Sequence, residues 1–573
     1  MNIRSLILVL ALMLVSGSQA YSVRGNFAPY TIMIYMNGSD LESKIGAATE
    51  DLIEILESGL CSENANVVIL TGGANYWQND VVPSGECVLW YAKDGELFEI
   101  KRLGLLNMGE PDTLADFITY AMRHFPAGKY GLVMWDHGGG AIAGFGHDEH
   151  FYKYDEGNLT LPEMDYAFRK AGLGGQKLEW LGFDSCLMAT VEMAVISSRY
   201  AKYLVASEDL EPGDGWDYVF LAYLNQNPRA SGYLLGREIV DTFMDFYGPD
   251  SDEILTLSVT DLNKVAPVMN NMGLLMEQCS VKLLSSPVYS FANLAKRRGL
   301  TKTFGEGSPR DNESDMVDIG DMAHHLTDLF PRETAALMAS LNEAVLYNRY
   351  NSLTPLYGLS AYYVYGGPFY ESLKLYAQLD VDEAYNQYLH KFFDKLTDGS
   401  ISRRRSETLE RELSLWRPVR SRPGYYQMQG ISHNENNDLW PYINGRPVNM
   451  YKTACLQGRT HYAIPARVNG DDCDIIVCLS HSGEKILGYR LTEGYVKQKG
   501  FMQFEANDRV AFYYPLRNFK DSRAQECEWQ LSREVMTGET LKFEWREAGG
   551  DSYRCILETD VCGHVRYGAL IPV

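Results

Sequence analysis

Short apolar runs alternate with amphipathic stretches through the first 400 residues. Runs at 31–36, 67–70, 130–135, 178–183 and 203–206 are rich in β-branched side chains and lack period-two alternation, so they predict strands buried on both faces. Residues 253–259 and 359–364 predict two more strands. Residues 87–91 and 97–102 flank Asp94-Gly95 and predict a hairpin. Between these runs the periodicity becomes helical. A helix follows the Gly38-Ser39-Asp40 break to about residue 56, and Asp112 is placed to cap one ending near 124. Further helices are predicted at 161–171, 188–200, 232–247, 261–278 and 332–348. The alternation implies an α/β fold, with a mainly parallel sheet covered by helices on both faces.

The pattern changes near residue 400. Residues 401–423 are basic, polar and poor in strand pattern, which marks a linker. From 424 to 573 the chain reads as short alternating strands separated by Asn-Gly, Asp-Asp and Ser-Gly breaks. Runs at 459–464, 474–479, 510–514 and 541–545 predict an all-β accessory domain of sandwich type.

A chain of 573 residues is too long for one core, in keeping with this division. Residues 1–20 stand apart. Arg4 is followed by an apolar run over 6–15, too short to span a bilayer, and then by Ser18-Gln19-Ala20. That is a secretory signal with cleavage after Ala20, so the main domain is expected over 21–400 and the mature protein outside the cytoplasm, secreted or periplasmic. No later run has the length of a transmembrane segment. The formal net charge of −23 argues against nucleic acid as a partner and suits solubility, a basic substrate or bound Ca²⁺. Six of the ten cysteines lie beyond residue 450, and their spacing does not fix a pairing.

Candidate chemistry sits at two strand ends, where ligands bind in open parallel sheets. His137 ends one run and Cys186 ends the next. A cysteine attacks as thiolate, and a neighbouring imidazole holds that state and protonates a leaving group. The helix predicted after Cys186 would add its positive end. Gly138-Gly139-Gly140 gives a loop that a peptide can approach, and the amides of Gly138 and Cys186 are candidate oxyanion donors.

These stretches resemble the clostripain family of cysteine peptidases, which has the caspase-like fold. The similarity lies in Ile34–Glu42, Trp135-Asp-His-Gly-Gly-Gly140, Phe183-Asp-Ser-Cys-Leu-Met188 and Ala206–Gly213. Asp315-Met-Val-Asp318 and Gly358–Tyr363 extend it. The resemblance implies an endopeptidase acting on proteins or peptides after Arg, and sometimes Lys, through a His137–Cys186 dyad. It implies maturation by self-cleavage in many members. It requires no cofactor, with Ca²⁺ needed by some members only. A basic side chain needs a carboxylate in its pocket; Asp184 and Asp214 are favoured, with Glu208 and Asp209 also near a strand end. Lys153, soon after the histidine motif, is the first candidate for self-cleavage, before Lys296-Arg297-Arg298 and Arg403–Arg405. His147 and His150 have zinc-like spacing but sit among glycines without a third ligand. His324-His325 reads as helix surface. Two alternatives stand beside this reading: a related peptidase preferring Asn or Asp, and a catalytically silent binding protein built on the β domain. Oligomeric state is left open.

Overall fold

The apolar runs assemble into one nine-stranded sheet. The computed structural model describes residues 27–151, 158–248 and most of 251–397, then mainly strands between 439 and 572. The proposed signal peptide, the linker and Lys153 lie outside the described residues.

The main-sheet strands are β1 (Ala28–Asn37), β2 (Ala65–Gly72), β3 (Val88–Lys93), β4 (Glu96–Arg102), β5 (Ala127–Trp135), β6 (Leu178–Asp184), β7 (Ala201–Ala206) and β8 (Thr256–Asp261). β9 (Thr303–Phe304) and β10 (Met316–Asp318) lie in a second sheet, and β11 (Val345–Tyr350) returns to the first. The spatial order is β11-β8-β7-β6-β5-β1-β2-β3-β4. The middle five strands are parallel, with registers such as Ile34↔Val133 and Trp135↔Asp184. Antiparallel strands close both edges. All residues of β2 and β6 are buried, which explains why their sequences are continuously apolar. The β3–β4 turn forms where expected, with Asp94 at φ 50° and Gly95 at φ 83°.

Helices cover both faces, and the core divides accordingly. On one side pack α1 (Ser39–Ile45), α2 (Ala47–Glu57) and, later in the chain, a helix over Gly232–Tyr247. On the other pack α3 (Pro111–His124), α4 (Leu161–Lys170), α5 (Val191–Ser197) and the long helix Val265–Ser285. This is the doubly covered α/β arrangement the sequence predicts, with the parallel strands confined to the centre of a mixed sheet.

Four predicted elements differ in detail, the first being the helix expected up to residue 56, which Gly46 (φ 74°) breaks into α1 and α2. The helix expected over 332–348 ends at Ala344, because the Val345-Leu-Tyr run pairs with the edge of β8. The helix expected from 188 begins only at Val191, capped by the Thr190 hydroxyl. Residues before it are drawn away from helix geometry, since Leu187 N–H donates to Asp209 O (3.1 Å) and Ala189 N–H to Ser207 O (2.8 Å). Asp112 lies inside α3 rather than at its cap; Pro111 takes the first turn and Asp112 pairs with Lys170 at 2.7 Å.

The run near 359–364 forms β12 (Ser360–Tyr362), which joins β10 and β9 in a small antiparallel sheet. Beyond residue 438 every described regular element is a strand, paired antiparallel in three sheets.

Candidate active site

Three neighbouring strands of the parallel centre deliver their ends to one place. β1 leads into Asp40, β5 into His137 and β6 into Cys186. The β5 and β6 loops touch: a Cβ on Gly138 would stand 1.8 Å from the Cys186 carbonyl oxygen and 3.1 Å from its nitrogen. Only glycine allows that approach, which puts the two candidate oxyanion amides on adjoining loops.

His137 is buried, and its Nε2 lies 2.7 Å from Asp40 Oδ1. Burial alone would raise the Asp40 carboxyl. The charge of His137 and the hydrogen bond to it outweigh burial and hold the group well below the usual carboxylate range. Asp40 was visible in the sequence as a strand-end residue, yet without an assigned role. The missing signal was the order of strands, which sets β1 directly beside β5.

Cys186 is fully buried, and the Glu211 N–H points to its Sγ at 3.3 Å. Leu187 beside it has φ 65°, an uncommon conformation for a leucine. It is held there by the carbonyl of Asp209. The positive end of α5 starts five positions after Cys186, at Val191, so the helix does not open at the thiol as predicted. Behind His137, the Asp136 carboxylate accepts from Asn37 Nδ2 and from His147 N–H (2.6 Å). Burial pushes Asp136 up to about 7 against the opposing pull of His137.

The four predicted pocket carboxylates separate into two environments. Asp184, at the end of β6, accepts from Trp216 N–H (3.3 Å) and the Tyr218 hydroxyl (3.0 Å). Nearby, Glu54 of α2 accepts from Tyr218 N–H at 3.2 Å. Burial pushes Glu54 up to about 7, and the charges of Asp217, Asp184 and Asp214 add to the rise. Asp214 is an exposed residue, yet the atoms packed around its carboxyl raise it too. Glu54 was not singled out in the sequence. A glutamate on an amphipathic helix carries no local mark of the acids that converge on it.

Glu208 and Asp209 are engaged elsewhere. Glu208 is fully buried and accepts the Gly358 N–H (2.8 Å), while Asp318 accepts the adjacent Tyr357 N–H (2.8 Å). Burial raises both carboxyls, and each raises or is bonded to the other. Asp209 accepts the Gly305 N–H (2.9 Å) and lies 3.8 Å from Lys302 Nζ. These two acids tie the small sheet to the end of β7.

Among the other sequence candidates, Arg297 pairs with Asp328 (2.7 Å), and Arg298 is buried against Asp315 (3.2 Å), so neither stands in an exposed loop. His150 Nε2 contacts Ala74 O (3.1 Å), and the His137 and His147 rings meet edge to face. His325 lies 3.6 Å from Asp321 on the helix Ile319–Leu326. Among the described residues no group of three or more His, Cys, Asp or Glu is placed to hold a metal ion, and no helix is long and apolar enough to cross a membrane. Cys61, Cys87 and Cys279 are free thiols.

Comparison with known proteins adds the family. Clostripain from Hathewaya histolytica is 34% identical over 128 residues, a match spanning 20% of this chain and 23% of that protein. An inactive zymogen C11 protease from Parabacteroides distasonis is 20% identical, covering 63% of this chain and 99% of that one, with a TM-score of 0.46. A secreted C11 cysteine protease from Bacteroides thetaiotaomicron, solved with an irreversible peptide inhibitor, is 16% identical, covering 62% and 98%, with a TM-score of 0.47. The clostripain family profile matches residues 34–410, well over half of the 573. The chain therefore belongs to the clostripain family of cysteine proteases.

Proposed function

We propose that the protein is an exported cysteine endopeptidase cutting after Arg, and after Lys, by a His137–Cys186 dyad. The observation that carries the dyad is the contact of their two loops, close enough that Gly138 has no room for a Cβ against Cys186. With Nε2 engaged by Asp40, proton transfer falls to Nδ1 of His137. The imidazole takes the thiol proton, and the thiolate attacks the scissile carbonyl carbon. The Gly138 and Cys186 amides stabilise the oxyanion. The imidazolium then protonates the leaving amine, and a water activated by the same ring hydrolyses the thioester. Asp40 acts on this sequence by orienting the ring and favouring its charged form. The chemistry itself calls for no metal, which leaves Ca²⁺ a structural role.

Support for a basic P1 residue comes from Glu54, Asp184, Asp214 and Asp217. Mutual repulsion among them is relieved when a guanidinium or ammonium enters. Glu208 and Asp209 drop behind Asp184 and Asp214 as pocket residues because their bonds tie them to the small sheet, whereas Asp184 and Asp214 act on Glu54. Self-cleavage at Lys153 is part of the proposal.

The test compares purified wild type with His137→Ala and Cys186→Ala by mass spectrometry and on peptides varied at P1. Both variants should lose activity, and Cys186→Ala should remain one chain where wild type is cut after Lys153. An N-terminus at Tyr21 supports export. Identical fragments in wild type and Cys186→Ala would sink self-processing, and preference for P1 Asn or Asp would sink basic specificity.

A further inference from the structure

A second imidazole stands beside the proposed catalytic one. The His147 ring meets the His137 ring edge to face, with centroids 6.0 Å apart and planes at 88°. Its position is set by the backbone on both sides. Gly146 N–H donates to His137 O (3.0 Å), and His147 N–H donates to the Asp136 carboxylate (2.6 Å). Just upstream, Phe145 exchanges two backbone hydrogen bonds with Leu159 (2.8 and 2.7 Å). Downstream, Asp148 accepts the Met108 N–H (2.8 Å), and Glu149 accepts the Asn75 N–H (2.8 Å). The chain is therefore clamped where it presents His147 to His137.

We propose that His147 is a positioning residue for the peptidase reaction: its edge-on ring walls the His137 imidazole, keeping Nε2 on Asp40 and Nδ1 directed to the Cys186 chemistry. This rests on the His137–Cys186 reading above. An edge-to-face pair has a preferred angle, so the contact fixes orientation as well as distance. The ring must also be uncharged to do this, because an imidazolium there would compete with His137 for Asp40.

The charged groups facing it bear this out. From α1 these are Asp40 and Lys44; from the end of β5 they are His137 and Asp136. Burial lowers the His147 ring most. Asp40 opposes, and His137 and Lys44 lower it further, leaving it at about 4 against an ordinary 6.5. His147 is therefore neutral over the range in which a thiolate–imidazole pair works. As pH falls through about 4 it gains a proton and sets a second cation against His137.

The experiment measures kcat and KM on a P1-Arg peptide across pH, with thermal stability at each pH. It uses wild type, His147→Ala, His147→Phe and His137→Ala. Misplacing a catalytic group by an ångström can cost about 100-fold, so His147→Ala should lower kcat by roughly 10- to 100-fold with KM within about twofold. His147→Phe restores a non-titrating ring and should recover most of that loss. Its acid limb in kcat/KM should also become shallower by about one proton, because only the titration of His147 has been removed. If His137→Ala is inactive while His147→Ala keeps wild-type kcat, the inference fails and the dyad stands. If both His147 variants lose kcat with an unchanged acid limb, His147 is merely structural and the inference also fails. If His137→Ala keeps activity, the dyad reading falls first.

Discussion

Glu54 and Glu208 are both glutamates whose carboxyls burial raises, each with other acids close by. Their surroundings differ in how the charge is answered. Glu208 and Asp318 are closed over by consecutive backbone amides, Gly358 and Tyr357, and lie out of reach of solvent. Two acids in such a place share a proton, and the arrangement is complete without a ligand. Glu54 and Asp184 also meet backbone amides, Tyr218 N–H and Trp216 N–H, but their cluster with Asp214 and Asp217 includes exposed and half-buried members that solvent reaches. A raised carboxyl thus marks a site only where its neighbours leave room for the cation that would relieve it.

The largest effect that would sharpen this contrast is at Asp184. Asp184→Asn removes the negative charge, keeps one oxygen to accept the Trp216 N–H, and turns an amide N–H toward the Tyr218 hydroxyl, which can accept it. Losing one partner of a desolvated charge pair costs about 2–5 kcal/mol, so kcat/KM for a P1-Arg peptide should fall by roughly 30-fold or more. A peptide with an uncharged P1 residue should change little. Equal losses on both peptides would mean that Asp184 holds the fold of the site and does not read the substrate.

That contrast lies beyond the sequence, although much of the frame does not. The buried strands were legible because parallel strands covered on both faces need uninterrupted apolar residues, as in β2 and β6. The strand-end rule then singled out His137 and Cys186, and the Gly138 run beside them. Residues 188–190 are predicted as the start of a helix, but the carbonyls of Asp209 and Ser207, about twenty residues away, hold this stretch in a loop. Asp40 needed the β1–β5 pairing, and Glu54 needed the folding of α2 against the Trp216–Tyr218 segment. The division of Glu208 and Asp209 from Asp184 has the same origin: all follow strand ends, but only the small β9–β10–β12 sheet supplies the amides that occupy the first two.

A smaller effect is expected at Glu54, and it depends on pH. Its carboxyl is pushed up to about 7, so it is largely neutral below that pH and ionised above it. Attraction for a basic side chain should therefore grow as pH rises through about 7, and KM for P1-Arg peptides should fall by roughly three- to tenfold between about pH 6 and 8, the range expected for a partly screened pair. Glu54→Gln should flatten that change while leaving kcat near wild type. A pH-independent KM in wild type would break the assignment of Glu54 to the pocket.

The closed pair should respond in stability and leave turnover alone. Asp318 is raised to about 6 in the fold from 3.8, by burial first and with Asp321 adding to it. For an acid raised on folding, the stabilising contribution is complete below about pH 4 and is lost as pH rises through about 6. Glu208→Gln supplies a permanent donor toward Asp318 and keeps an acceptor for the Gly358 N–H, while removing one of the two ionisations. Its melting temperature should match wild type near pH 4 and exceed it by about 1 °C near pH 8, an order set by roughly 1 kcal/mol in a domain of this size. P1-Arg turnover should not change. A loss of basic selectivity in Glu208→Gln would instead place Glu208 among the substrate-reading acids, and the distinction between the two clusters would fail.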